Sequence, residues 1–133
     1  MENEAHGNDL VDELRASGRL LPVHQALAFL GADVLDGYCS YSDRLIFNEE
    51  ERFLTLRERF LVLLGVMTAV GNDPHGIRWA SEKAQQYGAS TGAVLEACAM
   101  AALPAGLPRF ESVVEALVEL GVLEGTDVHV PGE

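Results

Sequence analysis

TLRERFLVLLGVMTAVGNDPHGIRW, residues 55–79, carries two helix starts and one helix stop in a single passage. Thr55 and Glu58 have the spacing of a reciprocal capping box. The Thr55 hydroxyl can accept from the amide at 58, and the Glu58 carboxylate from the amide at 55. An apolar run follows to Gly71, whose missing Cβ suits a left-handed helix end. Asp73 then offers an N-cap and Pro74 a first helical position, where no amide partner is lost. The passage therefore predicts two apolar helices joined by a tight junction, packed antiparallel.

Working outward, the punctuation stays helical. The second helix is expected to reach Tyr87 and stop at Gly88. Ser90 or Thr91 caps another, running to about Ala102 before LPAGLP breaks it. Pro108 opens the last, ending at Gly121, and 122–133 form a loose tail. Upstream, Asn8 or Asp9 can cap a short amphipathic helix ending near Gly18. Pro22 starts a segment from Val23 to about Asp36, with Ala26, Leu27, Leu30 and Val34 on one stripe. DGYCSYSDRLIFNEEERF is the least regular stretch, with Tyr38, Tyr41, Leu45 and Phe47 expected to fold over the core. No alternation of period two and no internal repeat occurs. The fold class is all-α, a single domain over residues 1–133: N-terminal helices and an irregular segment to 53, a core over 54–121, then the tail.

Two helices are apolar all round. Leu56, Phe60, Leu63, Leu64 and Met67 make one face of the helix after Thr55, but Leu61, Val62, Val66 and Val70 make the others apolar too. AVLEACAMAAL is similar and built from small residues. A helix apolar on every side must be covered on every side, and 133 residues can hide one such helix more easily than two. Self-association is the expectation.

The net charge of −12 repels phosphate backbones and anionic lipid, which argues against nucleic acid and membrane surfaces as partners. A small anionic substrate could still bind if one of the eight arginines faced inward. The N-terminus has no basic region followed by an apolar core, so no signal peptide is expected. The longest apolar run, 60–70, is shorter than the ~20 residues a bilayer requires. A cytoplasmic protein follows. Cys39 and Cys98 belong to no CxxC, and two free thiols is the simpler reading. Histidines 6, 24, 75 and 129 show no metal-binding spacing, so neither a metal nor another cofactor is expected.

Residues 54–117 resemble the carboxymuconolactone decarboxylase and alkylhydroperoxidase D superfamily. The resemblance is carried by the LTLRER entry, the apolar helix, the A-x-x-x-G-[AS] pattern from Ala84 to Ala89, and GLPR from Gly106 to Arg109. It covers about half the chain and implies an all-α bundle of the alkylhydroperoxidase D-like type, assembled as trimers or hexamers. The family's catalytic positions hold other residues. Counting back from Gly88, its cysteine pair would fall at Asp73 and Gly76, its histidine at Ala80, and its relay glutamate at Leu61. Hydroperoxide reduction needs a thiolate and a resolving thiol, so a peroxidase of that kind is not expected. A thiol peroxidase would have to use Cys39 or Cys98 in another geometry.

What the passage offers instead is His75, Arg78 and Trp79. The positive end of the helix favours a neutral imidazole at 75, able to take a proton in a decarboxylation, isomerisation or cyclisation. Arg78 can hold a carboxylate in bidentate fashion, and Trp79 can wall a ring. Each has a plainer role: an exposed helix-start histidine, an i,i+4 pair between Arg78 and Glu82, and a core or interface tryptophan. Glu58 is a structural cap that also lies near the entrance of the central helix. Tyr38, Tyr41 and Cys39 can line a pocket, and His24 could approach from another subunit. The expected function is cofactor-free proton transfer on a small, carboxylated or polyketide-like molecule. A non-catalytic binding or assembly protein on the same scaffold is the alternative.

Overall fold

The computed structural model describes residues 2–50 and 52–129, with residues 2–6 as backbone only, so the end of the expected tail, 130–133, lies outside the described residues. Every regular element among them is helical. The chain divides into two compact units, Met1–Asn48 and Glu49–Glu133.

The first unit contains α1 (Glu2–Ala16), α2 (Pro22–Leu30), α3 (Ala32–Ser42) and a π-helical turn at Asp43–Phe47. The three helices pack on one another, with Leu14, Ala32 and Leu35 buried. Three expectations are corrected here. Asn8 and Asp9 cap nothing, because α1 already runs through them; a Cβ at Gly7 would stand 3.5 Å from that of Ala32, and this close approach of α1 to α3 holds helix upstream of the expected start signal. The segment expected as one helix from Val23 is broken at Gly31, whose extended backbone accepts from the amides of Val34 and Leu35 as its own N–H closes α2 onto Leu27. Its supposed apolar stripe is thus cut, and Leu30 and Val34 are exposed. Finally, the stretch from Asp36 onward is regular helix to Ser42, and Tyr38, Tyr41 and Leu45 are exposed rather than folded over a core.

The second unit contains α4 (Leu56–Val70), α5 (Pro74–Gln86), α6 (Thr91–Met100), the short α7 (Ala102–Ala105) and α8 (Leu107–Glu119). The capping box forms as expected: Thr55 Oγ1 accepts from the Glu58 amide at 3.1 Å, and Glu58 Oε1 from the Thr55 amide at 3.0 Å. Gly71, at φ 79°, ends α4. Its amide donates to the Thr68 carbonyl and that of Asn72 to Met67, the paired bonds of a Schellman ending. Asp73 Oδ1 then accepts from the amides of His75 and Gly76. One departure is α7, which holds Leu103-Pro104 in a helical turn where only a break was expected.

Helix α4 is the centre of this unit and packs against α5, α6, α7 and α8. Its buried face is Phe60, Leu64 and Thr68. The Thr68 hydroxyl is satisfied by donating to the Leu64 carbonyl at 2.8 Å. Small residues let α6 close in: a Cβ at Gly65 would lie 3.2 Å from the Ala97 carbonyl oxygen. Phe60 stacks on Tyr87 at 5.7 Å and meets Trp79 edge-on at 5.6 Å. One side of α4 remains bare. Val62, Val66 and Val70, spaced i, i+4, i+8, are 54%, 54% and 68% exposed. No described helix is long and apolar enough to cross a membrane.

Candidate ligand site at the junction of α4 and α5

The Schellman turn at Gly71 and the cap at Asp73 bring the end of α4, the start of α5 and the start of α8 around one hollow of about 170 Å3. Pro74, Ile77, Val113 and Ala116 supply apolar wall, while Thr68, Asn72, Arg109 and Ser112 supply polar groups. Among the described residues no acidic side chain lines it, in a chain that carries 21 acidic residues. The Asn72 amide oxygen accepts from the Asp73 N–H at 2.8 Å, which leaves its NH2 group to donate. Arg109 lies against Gly71, so that a Cβ at 71 would stand 2.8 Å from the guanidinium carbon. Among the described residues no carboxylate or carbonyl accepts from Arg109, whereas Arg15, Arg19 and Arg78 are each tied to an acid.

The residues expected to form a site are distributed differently. His75 is exposed on the first turn of α5, next to the lining residue Pro74 but not itself in the lining. Arg78 is exposed and bonded to Glu82 at 2.7 Å, the plain i,i+4 pair. Trp79 is half-buried against Phe60. These three share two turns of α5. Glu58 lies at the opposite end of α4 from the junction: thirteen residues of helix separate it from Gly71, roughly 20 Å at the α-helical rise. The hydrogen bonds from Thr55, backbone first and then side chain, hold the Glu58 carboxyl below its ordinary range. Beside it lies an open cleft of about 310 Å3, where Glu49 balances the charge of Arg57.

Tyr38 and Tyr41 belong to the first unit, on α3. Tyr38 meets the buried ring of His24 edge-on at 5.6 Å. His24 Nδ1 accepts from the Leu21 amide at 2.9 Å and so caps α2. Burial lowers its pKa, Arg19 lowers it further and Asp43 opposes. Cys39 and Cys98 are both free thiols. Burial pushes Cys98 up, against a hydrogen bond with Thr68, and burial followed by Asp43 pushes Cys39 up. Raised thiols are poor nucleophiles.

Of the family positions counted from Gly88, Asp73 is an engaged N-cap and Ala80 is fully buried. Among the described residues no group of His, Cys, Asp and Glu is arranged to hold a metal ion. Arg109 and Ser112 were not singled out as site residues from the sequence. A signal for Arg109 existed: it falls in the first turn of α8, where the helix dipole disfavours a cation. No protein family, curated protein or solved structure matches the chain.

Proposed function

We propose that the protein is a carboxymuconolactone decarboxylase-like enzyme with a rebuilt site, acting on a small carboxylated organic molecule at the junction of α4 and α5. The chemistry is cofactor-free proton transfer: a decarboxylation, isomerisation or ring closure. His75, beside the lining, is the acid or base. Arg78 and Trp79 on the next turn orient the substrate as it enters. The subunit self-associates as a trimer or hexamer through the bare side of α4. Its partners are its substrate and its own copies, and the −12 charge turns away nucleic acid and anionic membrane.

The observation that carries this reading is the acid-free hollow at the junction, one residue from an imidazole. The alternative is a non-catalytic binding subunit on the same scaffold. Two contacts favour it: Arg78 is occupied by Glu82, and Asp73 is consumed as a cap. Turnover of a substrate identified by its co-purification, measured for the His75→Ala and Arg78→Ala proteins, separates the two. The enzyme reading expects a loss of at least ~100-fold in kcat for His75→Ala. Unchanged turnover in both variants discards these roles.

A further inference from the structure

We infer that Arg109 is the carboxylate anchor of this site, and that the hollow takes a small monocarboxylate with a compact apolar body. The inference deepens the junction reading and rests on it. Three features carry it. Arg109 borders the hollow and has neither a carboxylate nor a carbonyl partner among the described residues, so its donors are uncommitted. Ser112, one turn along α8, and the free NH2 of Asn72 add neutral donors on the same rim. Among the acids that adjoin lining residues in sequence, Asp73 turns its Oδ1 to the amides of His75 and Gly76, and Glu111, beside Ser112, is not in the lining.

The position of the guanidinium also has a local cause. A Cβ at residue 71 would meet it at Cζ, 2.8 Å away. Glycine at 71 therefore serves twice: it allows φ 79° and it leaves room for the arginine. Arg109 stands in the first turn of α8 against the helix dipole, a cost that an incoming anion offsets. The remaining walls, Ile77 and Val113 among them, are apolar. A single cation facing an apolar wall matches a monocarboxylate better than a dianion. In size, about 170 Å3 compares with the roughly 150 Å3 of a cavity known to hold benzene.

Benzoate and its neutral isostere benzamide test the assignment by calorimetric titration of the full chain, with no knowledge of the substrate. Wild-type protein is expected to bind benzoate and to bind benzamide at least ~10-fold more weakly. Arg109→Leu is expected to lose benzoate affinity by ~10-fold or more, and Arg109→Lys to recover only part, since it keeps the charge but not the fork. Arg57→Leu, at the far end of α4, should bind as wild type does. Equal affinity for benzoate and benzamide, equal binding by Arg109→Leu, or no benzoate binding by the wild type would each overturn the inference. His75→Ala should still bind benzoate. Failure of the proton-transfer role at His75 would thus leave the anchor standing, and failure of the anchor would show in binding alone.

Discussion

The Arg109 guanidinium occupies the space that a Cβ on Gly71 would need, with Cζ 2.8 Å from the ideal Cβ position. One glycine thus ends α4 and seats the only cation among the described residues that line the hollow. Gly71→Ala should be destabilised by about 1–2 kcal/mol for the left-handed backbone alone, and further by the displaced arginine. Adding Arg109→Ala should recover the second part and leave the first. Urea unfolding of both single variants and the double variant reads this coupling, and strict additivity would mean the contact carries no energy.

The start of α4 gives a more local expectation. Thr55→Ala removes the acceptor for the Glu58 amide and should cost about 1 kcal/mol. The Glu58 carboxyl, lowered by its bonds from Thr55, stabilises the fold above its unfolded pKa. That contribution is lost as pH falls through the lower, folded value. Glu58→Gln, which removes the titrating group, should therefore flatten the acid limb of the stability profile, measured by denaturant midpoints between neutral and acid pH, whereas Thr55→Ala keeps the backbone donor and should flatten it only in part.

His24 acts in a higher window. Its folded pKa is lowered from 6.5 because the ring is buried, with Arg19 adding to the effect. Below 6.5 the unfolded chain binds a proton that the folded chain refuses. The resulting stability is complete above the unfolded pKa and declines as pH falls toward the folded one. The neutral Nδ1 is also the acceptor for the Leu21 amide. His24→Gln should remove the dependence between mildly acid and neutral pH, and a variant with an undiminished slope would assign it to another group.

The bare valines of α4 bear on assembly. If copies cover Val62, Val66 and Val70, Val66→Lys should shift the particle toward monomer at micromolar concentration while leaving helix content unchanged, since Val66 is 54% exposed in the subunit. Light scattering coupled to gel filtration reads the mass directly. An unaltered mass would exclude this face from the interface.

What could be read in the sequence was whatever local chemistry decides. The capping box at Thr55, the stop at Gly71, the Asp73-Pro74 start and the Ser90 cap each depend on groups within a few residues. One miss arose where a tertiary contact overrode a local signal, and another where a local glycine break outweighed apolar spacing. Gly7 packed on Ala32 carried α1 through Asn8 and Asp9, and Gly31 divided a segment whose apolar spacing suggested one helix. The site was legible only as an address. The sequence points to the junction as a candidate, but the hollow there is built with Arg109 and Ser112 from a helix more than thirty residues downstream, and no spacing rule joins them to Gly71.

Amide chemical-shift mapping with benzoate tests the site most directly, because it reads location without requiring turnover. The expected result is perturbation concentrated at Gly71, Asn72, Ile77, Arg109 and Ser112, with α3 around Tyr38 and Tyr41 unmoved. Shifts centred on α3, or on the Glu49–Arg57 cleft, would contradict a ligand site at the junction of α4 and α5.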